Sequence, residues 1–479
     1  MKGVRIISGL FNSHATVPKI IKHSYGNVVA TPVSHWTRRA AASVAVGTQQ
    51  GNEPPPFPLV KDLPAQGDHL HGVPLPSEEN STQEQATLPS IFCPLPEHQA
   101  LREMVRSFAE TDVEPQATEF NRAEKMNVPL FRKLGELGLL GVTVPEQYGG
   151  SGMDATAAVI IHEELSAVDP GFCLAYLAHS MLFVNNLAQN GNEMQKKLWL
   201  PKASDGSAIC GMCMSEPAVG TDVLGMKTTA RLEGDEYILN GAKMWITNGT
   251  IDGASTGDAY LVYAKTGSGR QDISLFLVEK GMPGFSLGQK IHDKCGMRAS
   301  MTAELVFDNC RVPTSNLVGK EGGAALCMMR NLEIERVALA AMSLGIARRC
   351  VEEMNKYARD RSSFGARLNS FGQIQRFIAE SYAEYMAGRA YVYLTASQLK
   401  LDSIGNGLDA DGVKLYCGPM GKNVADRAIQ VMGGYGFVGE YVVERLWRDA
   451  KLLEIGGGTN EAHHKNMVRD LSRHVDKFP

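Results

Sequence analysis

No Asp or Glu occurs before Glu53, while Lys2, Arg5, Lys19, Lys22, Arg38 and Arg39 are spread among Ser, Thr, Ala and apolar residues. An acid-free, basic start of this kind is the composition of a mitochondrial transit peptide, so residues 1–52 are read as one; the plainer alternative is an extension that carries no address. A basic excess over the whole chain is also missing. The net charge is -4 at pH 7 and the pI is near 6.3, which leaves no electrostatic footprint for a nucleic-acid partner. Charge or glycine breaks the apolar runs before the roughly 20 residues that a membrane-spanning helix requires, so no transmembrane segment is expected. The nine cysteines are odd in number and scattered, which suits a reducing compartment better than a disulfide framework. Cys210-Gly211-Met212-Cys213 forms a C-x-x-C, but no second pair or His-x-x-x-His accompanies it. A closed zinc site needs four ligands, so packing in the core is the favoured reading and no metal is expected.

What is present divides the 479 residues into parts, as the length requires. Residues 53–94 are rich in Pro, Glu, Gln and Ser, including Pro54-Pro55-Pro56, and read as an extended linker. Leu101, Met104, Val105 and Phe108 fall at helical spacing, with Pro115 just beyond the predicted end, and helical patterns continue from Leu130 to Leu140 and from near Ala155. Residues 95–208 are therefore an expected N-terminal helical domain. From 209 to 318 the period changes. Tyr237-Ile238-Leu239, Asn240-Gly241 and Lys243-Met244-Trp245-Ile246 read as strand, two-residue turn and strand. Further β-branched and aromatic runs follow at 259–264, 273–278 and 304–307, so this block is expected to be a small antiparallel β domain. Residues 319–479 are dominated by Ala, Leu, Met, Glu and Arg and are expected to form a helical bundle. The fold class is mainly α with a central β domain.

Gly434-Tyr435-Gly436-Phe437-Val438-Gly439 satisfies G-x-G-x-x-G, yet a helical pattern from about Lys422 to Met432 precedes it. A dinucleotide-binding fingerprint needs a strand there, so a helix end closed by glycines is the favoured reading.

Two runs carry more chemistry. Met212-Cys213-Met214-Ser215-Glu216-Pro217-Ala218-Val219-Gly220-Thr221 mixes hydroxyls, a turn-forming proline and a flexible glycine, which leaves polar atoms free to line a heterocycle. Trp245-Ile246-Thr247-Asn248-Gly249 adds an indole whose face can lie on an aromatic ring. With Gly456-Gly457-Gly458-Thr459-Asn460-Glu461 in this order and spacing, the chain from about Glu97 onward resembles the acyl-CoA dehydrogenase family of FAD enzymes. The resemblance implies an N-terminal helical domain, a middle β domain and a C-terminal four-helix bundle, a homotetramer, and α,β-dehydrogenation of an acyl-CoA thioester, with electrons passed to electron transfer flavoprotein.

In most of that family the base is a Glu where this chain has Gly457, and a glycine cannot take a proton. In one branch the base comes instead from an earlier helix in a Leu-x-x-Glu-Arg context, and Leu332-Glu333-Ile334-Glu335-Arg336 places Glu335 there; an exposed helical charge pair is the plainer alternative. By resemblance, FAD contacts carry over to Met212 through Thr221, to Trp245, Ile246 and Thr247, to Arg361, to Thr459, Asn460 and Glu461, and to Gln430, Val431, Met432, Gly433 and Gly434 of a neighbouring subunit. Substrate contacts carry over to Thr221, Glu333, Ile334, Arg336, Gly457 and Gly458. Matching runs such as Asn190-Gly191-Asn192-Glu193 and Arg448-Asp449-Ala450-Lys451-Leu452 imply the branch acting on isovaleryl-CoA in the mitochondrial matrix. Leu326 departs from its substrate-contacting Tyr, Gly372 from a Gln that helps hold FAD, Glu333 from an Asp, and the loop 266–271 is shorter. Another short branched or a longer acyl chain, an oxidase-like flavoenzyme on the same fold and a non-catalytic flavin- or acyl-CoA-binding scaffold therefore stay open.

Overall fold

The computed structural model of the protein describes residues 90–405 and 407–473. The transit-peptide reading of residues 1–52 and the linker reading up to residue 89 lie outside them.

The first helix, α1 (Pro96–Phe108), opens with Pro96 where a backbone N–H is not needed and buries Leu101, Val105 and Phe108. Pro115 does not end it. A π-helical turn, Ala109–Val113, leads into α2 (Glu114–Ala123), and Pro115 takes one of its first two positions, where its missing donor is tolerated. Asn127 caps α3 (Val128–Glu136) and Asp154 caps α4 (Ala155–Ser166), each accepting from a backbone N–H of the first turn. α5 (Pro170–Leu177), a π-helical stretch and α6 (Asn186–Asn190) form one continuous run before α7 (Glu193–Ser204). This run, Pro170–Asn190, corrects an expectation: it is 21 residues long and apolar enough to cross a membrane by length and composition. Its most apolar window is 94% buried inside the protein, so it is explained as a core helix.

The middle block holds β1 (Cys210–Cys213), β2 (Thr229–Glu233), β3 (Glu236–Thr247), β4 (Ala259–Lys265), β5 (Ile273–Glu279), β6 (Phe285–Lys290), β7 (Thr302–Pro313) and β8 (Leu317–Val318). They form one sheet in the order β6-β7-β3-β2-β4-β5-β8, with β1 added beside β4. Most pairs are antiparallel, but β1 and β2 each run parallel to β4, so the sheet is mixed rather than purely antiparallel. The turn expected at Asn240-Gly241 is also corrected. Both residues lie inside β3, at a bulge where the register against β7 shifts. Gly241 has φ +148, and a Cβ there would sit 2.5 Å from Thr228 Oγ1, so the glycine serves a close approach within a strand. The reversal occurs earlier, between β2 and β3, where Gly234 has φ +64.

The remaining elements are α8 (Ala324–Asp360), the short strands β9 (Ser362–Ser363) and β10 (Ala366–Arg367), α9 (Gly372–Gln398), α10 (Gly407–Met432), α11 (Gly434–Phe437), α12 (Val442–Ala450) and α13 (Asn460–Arg473). The G-x-G-x-x-G run follows α10, with Gly433 at φ +59 ending that helix, so no strand precedes it. Ile160 and Ile161 of α4, Val337 and Leu344 of α8, and Val413 and Val424 of α10 are fully buried in one core that joins the N-terminal helices to the C-terminal ones.

Candidate active site

On α8, Asn331, Glu335, Ala338, Leu339 and Met342 recur at helical spacing and all are buried. Glu335 is the one carboxyl in that row. It is 7% exposed, and its Oε2 has no hydrogen-bond partner among the described residues. The exposed charge pair considered from sequence is therefore excluded. Burial pushes its carboxyl up to about 7, while the nearby Arg336 and Lys414 pull the other way.

The loop opposite follows α12 and a 3-10 turn, Lys451–Glu454. Gly457 lies in it at φ +69, and a Cβ built there would stand 3.5 Å from Glu335 Oε1 and 2.2 Å from Leu339 Cδ1. The two positions that the sequence resemblance offers for a base thus converge on one place, although 122 residues apart in number (457 − 335). A carboxyl with a free oxygen that ionises near neutrality, facing a loop without side chains, is suited to take a proton from a small group held between them.

The other predicted substrate residues divide. Arg336 Nη1 reaches Asp411 Oδ1 at 3.2 Å, beside Glu335. Glu333 is buried and its Oε1 accepts from Gly405 N at 3.2 Å, at the approach to α10. Ile334 is turned into the helical core, and Thr221 stands on an exposed loop. Successive residues fan out by about 100° on a helix, so four consecutive side chains cannot share one site. Leu326, where the branch has its Tyr, is 54% exposed.

The expected FAD residues fall in three places. Met212 and Cys213 end β1, and the loop after it is closed by mutual backbone bonds between Glu216 and Val219 at 2.9 and 3.0 Å. Glu216 does not offer its carboxylate outward: it accepts from Lys227 N at 2.6 Å, Thr228 N at 2.9 Å and the buried Lys243 Nζ at 2.9 Å. Lys243 also donates to Met214 O at 3.0 Å, bracing the loop from beneath. Pro217, Ala218, Gly220 and Thr221 are left exposed. Trp245 sits at a register shift of β3 with φ +67 and is 60% exposed, a left-handed conformation rare for a bulky residue that turns the indole out of the sheet. Ile246 is buried beneath it. An outward indole beside an exposed loop of small residues ending at Thr221 leaves a surface that fits the flat ring system of a flavin. Separately, Arg361 at the end of α8 lies over the ring of Tyr435 at 5.9 Å, a residue that follows Gln430, Val431 and Met432 at the end of α10 and Gly433 and Gly434 at its junction with α11. Thr459 Oγ1 accepts from Ala462 N at 3.3 Å, capping α13, whose first residues are Asn460 and Glu461. The Gly372 backbone has open space around it.

Cys210 and Cys213 are packed into different apolar clusters, because a spacing of three on a strand points side chains to opposite faces. Burial pushes both thiols up.

Sequence reasoning missed Lys243, Asp411, Lys414 and His463. A lone cation inside an apolar strand, and an acid and a base three apart on one helix face, were the available signals.

Models of the acyl-CoA dehydrogenase N-terminal, middle and C-terminal domains match residues 95–207, 211–310 and 322–472. A mitochondrial isovaleryl-CoA dehydrogenase of Arabidopsis thaliana is 40% identical over 77% of this chain and 90% of its own length. A mitochondrial 2-methylacyl-CoA dehydrogenase of Solanum tuberosum is 38% identical over 78% and 90%. Among solved structures, a glutaryl-CoA dehydrogenase of Mycobacterium smegmatis in complex with FADH2 superposes with a TM-score of 0.74 at 29% identity, over 80% of this chain and 96% of that one.

Proposed function

Since the chain belongs to the acyl-CoA dehydrogenase family of FAD-dependent oxidoreductases, we propose that it oxidises a short branched acyl-CoA, isovaleryl-CoA, to 3-methylcrotonyl-CoA in leucine breakdown. The observation that carries this is the buried Glu335 with its free Oε2, facing the glycine loop at the place where most relatives have their base. Glu335 takes the α-proton as the C–H bond breaks, and its electron pair becomes the new α,β double bond as a hydride leaves the β-carbon. The chemistry supplied by bound FAD is acceptance of that hydride. Of the run from Met212 to Thr221 and from Trp245 to Thr247, the exposed loop residues and the Trp245 indole would hold one end of the cofactor, with Cys213, Glu216 and Ile246 supporting them from within; Thr459, Asn460 and Glu461 stand at the start of α13, and Arg361 with Gln430–Gly434 would serve a neighbouring subunit of a homotetramer. Backbone N–H groups at Gly457 and Gly458 polarise the thioester carbonyl in a site from which water is excluded.

FAD-loaded protein mixed with isovaleryl-CoA without oxygen is expected to lose its flavin absorbance within the mixing experiment. Protein that holds FAD and binds the thioester but stays coloured would end the dehydrogenase reading. The similarity to a 2-methylacyl-CoA dehydrogenase favours 2-methyl-branched thioesters as a second reading; faster bleaching by 2-methylbutanoyl-CoA would select it.

Electron transfer flavoprotein would be the acceptor of those electrons, with oxygen and water kept from the site while product is bound. Reoxidation by oxygen as fast as by that partner would instead mark an oxidase. The mitochondrial matrix is the proposed location, supported by the acid-free stretch 1–52 and the mitochondrial relatives. A chain lacking residues 1–52 should fail to enter mitochondria, and unchanged import would place the signal elsewhere.

A further inference from the structure

The loop facing Glu335 has three successive glycines, Gly456, Gly457 and Gly458, so it has no side chains of its own to set its shape. Gly457 and Gly458 have φ +69 and +105, conformations open to glycine at no steric cost, so the loop is fixed in this shape only by contacts from outside it. The hold comes from behind. His463, fully buried on the first turn of α13, points Nε2 at Gly458 O at 3.0 Å and Nδ1 at Asp411 Oδ1. A carbonyl oxygen and an ionised carboxylate are both acceptors, so each ring nitrogen needs a hydrogen and the ring is an imidazolium when both bonds are made. Its edge fills the space beside the loop, since a Cβ on Gly458 would come within 3.0 Å of His463 Cε1.

α10 supports both ends of this arrangement. Asp411 also receives Arg336 Nη1 at 3.2 Å and Asn466 Nδ2 at 3.5 Å, and is itself buried. Three residues on, Lys414 donates from Nζ to Leu453 O, where the loop begins. One helix face thus ties down Leu453 directly and Gly458 through His463, with Glu335 and Arg336 of α8 packed close by.

We propose that His463, oriented by Asp411, is a positioning residue for α-proton removal: its donated bond to the Gly458 carbonyl keeps the glycine loop closed against Glu335. This rests on Glu335 being the base. His463 itself neither gives nor takes a proton in the step. The groups facing its ring are Asp411 and Lys414 from α10 and Arg336 from α8; burial pushes the imidazolium down, Asp411 pulls it up, and Lys414 and Arg336 add to the push. Glu335 must be ionised and His463 protonated together, yet burial pushes the carboxyl up to about 7 and the imidazolium below its ordinary range, so only a minority of molecules carries both charges and the rate of flavin bleaching should be a low bell in pH that falls away above about 7, its two limbs belonging to the coupled group.

The test uses FAD-loaded protein and isovaleryl-CoA without oxygen. His463→Leu should slow bleaching about ten- to a hundredfold, the scale of a misplaced reacting group, with thioester affinity little changed. Amide exchange of the 453–459 segment, followed by mass spectrometry without substrate, should accelerate. His463→Gln keeps an N–H for Gly458 O that does not titrate, so it should recover part of the rate and lose the alkaline limb. Wild-type bleaching and exchange in His463→Leu, or an intact alkaline limb in His463→Gln, would overturn the proposal. If the leucine variant does not fold, the glutamine profile decides alone. A Glu335→Gln protein that still bleaches defeats the base assignment; one that does not, beside normal His463 variants, defeats only the positioning role.

Discussion

Glu335→Gln should lower the rate of flavin bleaching by isovaleryl-CoA by about 10²–10⁴-fold, the usual scale of a lost general base, while FAD content and thioester binding persist. Glutamine keeps the size of the side chain and its capacity for hydrogen bonding, and removes only the ability to accept a proton. Because burial holds the Glu335 carboxyl near 7, the rate of the His463→Gln protein, in which the bond to Gly458 O no longer titrates, should rise with pH through that region as the carboxylate forms and fall away below it. Stopped-flow bleaching across pH measures both effects, and near-normal reduction by the glutamine variant would falsify the assignment. Moving the carboxylate is a harder exchange. In Glu335→Gly with Gly457→Glu the new Cβ starts 2.2 Å from Leu339 Cδ1 and at φ +69, a backbone that costs a non-glycine residue about 1–2 kcal/mol. The double variant should recover little activity, and adding Leu339→Ala should recover more. Failure of both would speak to geometry, since Glu335→Gln tests the base separately.

Glu163→Ala should destabilise the protein by about 3–5 kcal/mol, because it strands buried cations. Glu163 on α4 is fully buried, with Arg102 Nη1 at 3.0 Å, Arg389 Nε at 2.9 Å and Tyr385 Oη at 3.1 Å. Glu164 beside it takes Arg106 Nε at 3.0 Å and Arg348 Nη2 at 2.7 Å. Arg102 and Arg106 come from α1, Arg348 from α8, and Arg389 from α9, so the cluster joins the N-terminal helices to the C-terminal bundle. Burial alone would raise the Glu163 carboxyl, but Arg389, Arg102 and Arg348 hold it down to about 2. A depressed folded-state value means that the stabilisation is present above the ordinary carboxyl range near 4.5 and is lost as the pH falls towards 2. Denaturant unfolding of the two proteins at neutral pH checks the first claim, and a variant as stable as wild type would show that the cluster contributes nothing net. The gap between the two should close in acid.

The helix–sheet–helix order was legible because hydrophobic period is a local property: the change from 3.6 to 2 near residue 209 and back near 319 needs no knowledge of partners. Glu335 could be picked out as a candidate base only through the family resemblance, which gives meaning to a missing carboxylate at 457 and a Leu-x-x-Glu-Arg run. Only the tertiary structure decided that Asn240-Gly241 continues a strand. A turn signal can be overruled by pairing, and β7 supplies a partner on both sides of that point. It also decided that Glu216 turns inward to Lys243, that Glu335 is buried rather than solvated, and that Gly457 meets it across 122 residues (457 − 335). His463 and Asp411 lie 52 residues apart and become a pair only when α13 packs on α10. Residue type says what a side chain is able to do; which other side chain it does it with depends on how whole helices and strands bury their apolar faces, and that choice is made by the packing of the entire chain.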